Sequence, residues 1–259
     1  MSEAWDPDRY LAYADERGRP FVELIARIAA VEPATVVDLG CGPGNLTALL
    51  ATRWPGARVH GVDSSAAMIA KARAGRPEAS FEIADLRDWA SSAAPAGIDV
   101  LVSNAALQWV PGHLELLPAL VRTVAPGGWF AFQVPGNFAE PSHVLRAELA
   151  AEPPYDAYTG DLAAPASHDP VVYLDALRAL GLEVDAWETT YLHQLTGEDP
   201  VFDWISGTSL RPTAAALPDE LWPQFSAELR RRLAAAYPVR AGRVTLPFRR
   251  IFVVARRPA

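Results

Sequence analysis

The stretch V-V-D-L-G-C-G-P-G-N, residues 36–45, decides the fold of this chain. Its apolar residues before the glycines predict a parallel strand that is covered on both faces. Helical spacing of leucines begins at Asn45 and continues to Trp54, so the three glycines lie at a strand-to-helix turn. Residues without a Cβ let the backbone bend tightly and approach a ligand, while the following helix N-terminus offers unpaired N–H groups. The stretch therefore predicts a nucleotide-like cofactor at this turn.

The spacing of the glycines and the charge beside them distinguish a dinucleotide from a cationic cofactor at this turn. The dinucleotide fingerprint ends in a third small residue, where this chain has Asn45. Asp38, before the glycines, would repel a pyrophosphate and suits a cationic ligand. The pattern D-x-G-x-G-x-G resembles motif I of the class I S-adenosylmethionine-dependent methyltransferases, whose cofactor carries a sulfonium, an ammonium and no phosphate. From this segment alone, an ordinary glycine-rich loop of a Rossmann-like domain stays open as the alternative.

Acidic residues end the next two predicted strands. Residues 58–63, R-V-H-G-V-D, form a short β-rich run whose last residue, Asp63, suits a ribose diol. Ser64 and Ser65 then predict the cap of a helix carrying Met68, which either packs on adenine or belongs to the core. The third predicted strand, residues 81–86, contains Asp85. The resemblance implies that Asp85 holds the adenine amino group, and a plain turn residue is the alternative.

The fourth predicted strand, residues 98–103, is followed by N-A-A-L-Q-W. Ligands in open α/β sheets bind beyond the carboxyl ends of strands, so this end is expected to face the transferring methyl group. The prolines of E-P-P-Y, residues 152–155, indicate a loop. The residues predicted to bind the cofactor are Asp38, Gly40, Cys41, Gly42, Asn45, Asp63, Ser64, Met68, Asp85, Leu86, Asn104 and Ala105.

Composition narrows the class of protein. Half of the 259 residues are hydrophobic and the formal net charge is −8, which disfavours nucleic acid and anionic membrane surfaces as partners. Cys41 is the single cysteine, so no internal disulfide is expected. No charged-then-apolar leader is recognisable, and we expect a cytoplasmic protein. The histidines show no paired ligand spacing, so we predict no metal and no nucleophilic triad.

The pattern of elements predicts an α/β fold. We expect a Rossmann-like, doubly wound, mostly parallel seven-stranded sheet with an antiparallel last strand and helical lid insertions. One domain is predicted over residues 1–259, comprising N-terminal lid helices (1–31), a cofactor-binding core (32–135), substrate-lid insertions with a helix and the sixth strand (136–249), and the last strand and tail (250–259).

Two polar stretches, residues 137–169 and 200–213, are expected to cover the mouth of the fold and shape a substrate pocket. The helix predicted between the second stretch and the last strand spans residues 218–237. Arg211 precedes Pro212, which discourages a continuing helix and favours an exposed turn.

Motifs outside the glycine turn narrow the resemblance. They include W-D-P-D-R-Y at residues 5–10, S-N-A-A-L-Q-W at 103–109 and T-T-Y-L-H-Q at 189–194. With them the chain resembles the bacterial trans-aconitate 2-methyltransferase family nearly end to end, with departures chiefly around residues 155–168. The resemblance implies methyl transfer from S-adenosylmethionine to one carboxylate of trans-aconitate, giving a monomethyl ester and S-adenosylhomocysteine.

This chemistry requires no general base, because a carboxylic acid with a pKa near ~4 is ionised at neutral pH. A polyanionic acceptor does require paired positive charge. Arg211 is the first candidate for that charge. The predicted substrate-binding residues are Arg211, Trp109, Gln133, Asn137, Tyr191, His193, Arg249 and Tyr10, with Arg250, Arg19 and Tyr13 as further candidates.

Three alternatives differ in partner or cofactor. A carboxyl methyltransferase of malonyl-carrier protein would share the core, but it needs an external basic patch, whereas the predicted lids carry several acidic residues. A non-enzymatic S-adenosylmethionine-binding module would not need elaborate lids. A nicotinamide dehydrogenase is disfavoured by the glycine spacing.

Overall fold

The computed structural model describes residues 14–93, 96–162 and 164–259. Within these residues seven strands form one sheet: β1 (Thr35–Leu39), β2 (Arg58–Asp63), β3 (Ser80–Ile83), β4 (Ile98–Asn104), β5 (Val124–Pro135), β6 (Glu183–Leu195) and β7 (Val244–Arg256). Their order across the sheet is β3-β2-β1-β4-β5-β7-β6. The pairs from β3 through β5 are parallel, and β7 runs antiparallel to β5. The predicted fold class is confirmed.

Helices connect these strands. They are α1 (Ala14–Ala26), α2 (Thr47–Arg53), α3 (Ala66–Gly75), the single turn α4 (Leu86–Asp88), α5 (His113–Thr123), α6 (Pro141–Ala150), α7 (Asp156–Thr159), α8 (Pro170–Ala179), α9 (Pro200–Ser206), α10 (Arg211–Ala216) and α11 (Trp222–Ala236). A π-helical turn follows α4 at Trp89–Ala93, and a 3-10 turn occupies Leu107–Trp109. None of the helices in the described ranges is long and apolar enough to cross a membrane.

The chain divides into two compact units. The sheet unit comprises Asp15–Gly136, Pro165–Thr189 and Arg250–Ala259. The insertion unit contains Asn137–Ala164 and Thr190–Arg249. The boundaries fall within β6 and β7, and α8 and the first half of β6 belong to the sheet unit.

The sheet unit is organised around the buried central strands. Every residue of β1 after Thr35 is buried, as are the apolar residues of β4. Phe130 and Phe132 of β5 are fully buried and join the same core, with Tyr173 of α8 packed edge-on to Phe132 at 5.1 Å between ring centroids. Helix α8 ends at Ala179, and Gly181, two residues later, has φ +84° and donates its N–H to the Arg178 carbonyl.

The insertion unit has its own core around α11. Phe225, Leu229 and Leu233 of this helix are buried on one face. The ring of Tyr155 packs edge-on against Phe225 at 5.0 Å. Helix α11 is shorter at both ends than the predicted range 218–237.

The two stretches at residues 137–169 and 200–213 contain helices that begin at or next to a proline. Helices α6, α9 and α10 each have a proline in the first turn: Pro141, Pro200 and Pro212. Proline at that position sacrifices no helical hydrogen bond and its fixed φ favours the helix. The exposed turn expected at Arg211 was therefore wrong, because Arg211 begins α10.

Gly61 of β2 sets how closely β3 packs under the glycine turn. A Cβ at this position would lie 2.7 Å from Phe81 Cδ1 and 2.9 Å from Cys41 Sγ. Phe81 and Cys41 are both buried in one small cluster with Ile69 and Ala72. The missing side chain thus makes room for the ring beneath the turn.

We expect Gly61→Ala to lower the free energy of unfolding by about 1–3 kcal/mol, because an added methyl group overpacks this cluster. Urea denaturation checks it. Gly75→Ala, at the end of α3 with nothing within 4 Å of an added Cβ, is the matched control and should shift stability by less than about 1 kcal/mol. Equal effects of the two changes would contradict the steric reason.

Candidate functional site

The glycine turn after β1 has the backbone shape that the sequence predicted. Gly40, Gly42 and Gly44 all have positive φ, at +76°, +55° and +77°. A Cβ at Gly40 would lie 2.2 Å from Ala106 Cβ, and one at Gly44 would lie 2.9 Å from Phe81 Cζ, so these two glycines permit close packing. Nothing lies within 4 Å of a Cβ at Gly42. The middle glycine is therefore the one that leaves open space.

Asp38 supplies a buried negative charge at this turn. Its side chain is 2% exposed, and Oδ2 accepts a hydrogen bond of 2.6 Å from Thr47 Oγ1. Burial raises the pKa of Asp38 to about 6, against the lowering effect of the Thr47 hydroxyl and with a smaller contribution from Asp63. Burial, with Asp38 and Asp63, also raises the pKa of the Cys41 thiol. Two carboxylates thus make the turn unfavourable for phosphate and favourable for a cation.

Asp63 ends β2 as expected and is tied into the turn by backbone donors. Its Oδ2 accepts from Gly42 N at 2.9 Å and its Oδ1 accepts from Ser65 N at 2.8 Å. Each carboxylate oxygen can accept a further hydrogen bond, so the group retains the capacity to bind two hydroxyls. Ser65 caps α3 by accepting from Met68 N at 3.4 Å, whereas Ser64 is exposed. Met68 is buried.

The third acidic residue differs from its predicted setting. Strand β3 ends at Ile83, and Asp85 is the N-cap of α4 rather than a strand residue. Its Oδ1 accepts from Arg87 N at 2.8 Å and from Arg87 Nε at 3.2 Å. These hydrogen bonds lower the pKa of Asp85 and keep it ionised. Leu86, the following residue, is buried.

Buried polar atoms gather where β4 and β5 end. Asn104 and Gln133 are neighbours in the parallel register, and Ala105 N donates to the Gln133 carbonyl at 2.8 Å. Ala105 has φ +53°, a strained value for a residue with a Cβ. Within the described ranges, three buried side-chain atoms here have no hydrogen-bond partner: Asn104 Oδ1, Gln108 Oε1 and Gln133 Nε2. Orphaned buried polar atoms of this kind indicate a place for a ligand.

Gln133 also meets the start of the sheet unit's final segment. Arg250 Nη1 donates to Gln133 Oε1 at 3.2 Å, and both side chains are buried. This contact orients the Gln133 amide, because its oxygen faces the guanidinium and its nitrogen is turned away as a donor. Two of the predicted substrate-binding residues are thereby brought together.

Tyr191 and His193 lie in the insertion unit. Both are buried on one face of β6, as their spacing predicted, with ring centroids 6.2 Å apart. His193 also packs on Trp204 at 4.5 Å between centroids. Asn137 is 3% exposed, and its Oδ1 has no hydrogen-bond partner in the part of the chain that the structure describes.

The other predicted substrate residues are more exposed. Trp109 is 45% exposed, Arg211 is exposed at the start of α10, and Arg249 is half-buried. Arg19 forms an ion pair of 2.7 Å with Glu23 on α1. Tyr10 and Tyr13 lie outside the described residues.

Two residues of the sheet unit support the candidate site but were not predicted from the sequence. Thr47 is buried, and its hydroxyl donates a hydrogen bond to Asp38. The sequence did contain a hint of this contact, because Thr47 is a hydroxyl residue at the first position of the helix that follows the glycine turn. Gln108 donates from Nε2 to the Ala105 carbonyl at 2.6 Å, which supports the strained turn. Across the described ranges, no three His, Cys, Asp or Glu side chains gather as a cation-binding group.

The methyltransferase domain family matches residues 11–186. The chain is 49% identical, over 99% of its length and 98% of the relative's, to trans-aconitate 2-methyltransferase of Streptomyces avermitilis. It is 50% identical, over 97% of its length and 98% of the relative's, to trans-aconitate 2-methyltransferase of Mycolicibacterium gilvum.

Solved structures support the fold at lower identity. Haemonchus contortus phosphoethanolamine N-methyltransferase 2, solved with S-adenosylmethionine, is similar with a TM-score of 0.55 at 14% identity, covering 93% of this chain and 53% of that one. The YcgJ protein of Bacillus subtilis gives a TM-score of 0.61 at 12% identity, covering 93% and 99%. The chain belongs to the methyltransferase domain family and, within it, to the family of the trans-aconitate 2-methyltransferases.

Proposed function

We propose that this chain transfers the methyl group of S-adenosylmethionine to a carboxylate of trans-aconitate, giving a monomethyl ester and S-adenosylhomocysteine. The observation that carries the proposal is the 49% identity, over 99% of the chain, to a relative of that name. The buried acidic turn of the sheet unit supports it, because that turn suits a cationic cofactor.

The residues of the glycine turn fit S-adenosylmethionine. Asp38 and Asp63 offer negative charge, Gly42 leaves open space, and Asn104 Oδ1 is an acceptor that lacks a partner among the described residues. When bound, the cofactor supplies an electrophilic methyl group on a positively charged sulfur. We assign its binding to Asp38, Gly40, Cys41, Gly42, Asn45, Asp63, Ser64, Met68, Asp85, Leu86, Asn104 and Ala105.

Asp63 is assigned to the ribose hydroxyls, since its two oxygens are held in place by Gly42 N and Ser65 N. Asp85, fixed by Arg87, is assigned to the adenine amino group. Asp38 is assigned to the electrostatic stabilisation of positive charge. All three tasks use acceptor oxygens, as the donors of the cofactor require.

The acceptor needs orientation and charge rather than activation. A carboxylate with a pKa near ~4 is already ionised at neutral pH, so no side chain has to remove a proton. Joining a cation and an anion is disfavoured by water, and residues that exclude water therefore favour the reaction. The residues assigned to acceptor binding are Arg211, Trp109, Gln133, Asn137, Tyr191, His193, Arg249, Arg250 and Tyr10.

The reaction is tested with the purified chain and cofactor labelled in the methyl group. A panel of trans-aconitate, cis-aconitate, citrate, itaconate and a malonyl-carrier protein is offered, and products are identified by mass spectrometry and NMR. We expect a labelled monomethyl ester from trans-aconitate. Labelling of the carrier protein alone, or of nothing in the panel, would refute the proposal.

Asp63→Asn should weaken S-adenosylmethionine binding about 10- to 100-fold, because replacing one carboxylate oxygen removes a charged acceptor for the ribose. Titration calorimetry measures it. Glu78→Gln, an exposed acid of the same unit, removes the same charge and should change affinity by less than about twofold. Unchanged affinity in a folded Asp63→Asn protein would remove Asp63 from the site.

The raised pKa of Asp38 predicts that cofactor binding depends on pH. Its folded pKa of about 6 exceeds its ordinary value of 3.8, so the ligand-free protein loses stability as pH rises through this window. A bound cation favours the charged form. S-adenosylmethionine affinity should therefore fall about tenfold from pH 7 to pH 5.

Calorimetry across that range checks the dependence on Asp38. Asp38→Asn removes the titrating group, so its affinity should be lower at pH 7 and nearly constant with pH. The same tenfold fall in Asp38→Asn would show that another group is responsible.

The turnover number should be nearly flat between pH 6 and pH 8, changing by less than about twofold, because the nucleophile is already an anion. Steady-state kinetics at saturating substrates provides the measurement. A steep loss of kcat below pH ~7 that disappears in His193→Gln would instead assign proton transfer to His193.

A further inference from the structure

Arg146 is a cation of the insertion unit that no carboxylate among the described residues offsets. It lies on α6, and its Nη1 donates to Thr213 Oγ1 of α10 at 3.0 Å. Its Nε is buried and has no hydrogen-bond partner within the described ranges. Burial alone lowers the pKa of Arg146, and none of the described carboxylates is within ion-pair distance of it.

The neighbouring ring does not compensate this charge. His143 precedes Arg146 by one helical turn, is 9% exposed and packs edge-on against Phe138 at 5.1 Å between ring centroids. Burial, together with the positive charge of Arg146, lowers the pKa of His143 to about 4. The imidazole is therefore neutral at pH 7 and has one N–H to donate.

Two other arginines of the same unit show how such a charge is usually paired with acids. Arg232 bonds to Glu152 and to Glu228, each at 2.8 Å, and Arg230 meets Asp199 at 3.0 Å. These arginines are on α11, at or near the surface, where pairing is least needed. Arg146 is partly buried and lacks such a partner in the part of the chain that the structure describes, although the chain carries a net charge of −8. A desolvated guanidinium without a counter-charge is costly, which points to an anion that is supplied from outside.

We propose that Arg146 binds a carboxylate group of the acceptor. Thr213 uses one of the five guanidinium donors and fixes the orientation of the group, and the neutral His143 ring offers a further N–H. A planar guanidinium can engage both oxygens of one carboxylate, which suits a polycarboxylate acceptor. This assignment rests on the proposed function for the identity of the acid. The charge of Arg146 that the assignment explains is observed independently of that function.

Binding without turnover tests the site. The full chain is saturated with S-adenosylhomocysteine and titrated with trans-aconitate by calorimetry, so that no methyl group is available to transfer. We expect Arg146→Met to weaken trans-aconitate binding about 10- to 100-fold, the loss typical of a charged hydrogen-bonded contact. Arg146→Lys should recover part of this loss, because an ammonium keeps the charge without the fork.

Arg231→Met is the matched control. Arg231 is an exposed arginine of α11 in an ion pair with Glu228, and its replacement should change trans-aconitate affinity by less than about twofold. Affinity for S-adenosylhomocysteine should be the same in wild type, Arg146→Met and Arg231→Met, because Arg146 is assigned to the acceptor alone.

Thermal unfolding of the ligand-free proteins separates binding from structure. Removing a partly buried charge that no described acid offsets should leave the Tm of Arg146→Met equal to that of wild type or above it. Unchanged trans-aconitate affinity would overturn the proposal at any Tm. A lower Tm with parallel losses of both ligands would also overturn it, by assigning Arg146 to the fold.

Binding measured without turnover and steady-state methylation of trans-aconitate together distinguish this proposal from the proposed function. A wild-type chain that binds trans-aconitate through Arg146 but never methylates it would refute the reaction and retain the carboxylate site. A chain that methylates trans-aconitate with the same KM in wild type and Arg146→Met would refute the site alone.

Discussion

A carboxylate held away from water at the end of β1 is the constraint on which the glycine turn depends. Asp38 is given one hydroxyl, from Thr47, and no nearby cation relieves its charge among the groups that shift its pKa. Asp63 adds to the negative potential while fixing Gly42 through a hydrogen bond. The close approach of Gly40 to Ala106 then places the end of β4 beside the same turn. Backbone shape and charge in the sheet unit thus favour one kind of ligand, a positively charged one.

The insertion unit carries a partly buried charge of the opposite sign. Arg146 is stabilised by Thr213 and by no described acid, while Asp38 is stabilised by Thr47 and by no described base. In each unit a threonine hydroxyl orients a charged group whose burial is otherwise unfavourable. The proposed reaction combines a cation with an anion. Under the proposed function, each unit therefore offers a charge that complements one of the two reactants. In the ligand-free protein, the desolvation of both charges lowers the free energy of unfolding.

The sheet could be predicted from sequence because its signals are local. Apolar runs ending in acids placed β1 and β2, and glycines with positive φ lie where the turn required them. The bounds of the insertion helices could not be predicted as well as those of the strands. Proline before Val201 or after Arg211 indicates a loop unless it is known to lie in the first turn of a helix. Arg146 was missed for a different reason. Its proposed role depends on partial burial and on the lack of an acidic neighbour among the described residues, and the spacing of residues in the sequence shows neither.

Cys41 has a practical consequence that follows from its place under the glycine turn. It is the single cysteine of the chain, it is 6% exposed, and burial beside Asp38 and Asp63 raises its thiol pKa. The thiolate is the form that reacts with maleimides and disulfides, so this sulfur is a poor target for labelling reagents. The natural chain is therefore a ready background for site-specific spectroscopy. A cysteine introduced on the surface of either unit becomes the preferred point for a fluorophore or spin label, without a prior substitution at position 41.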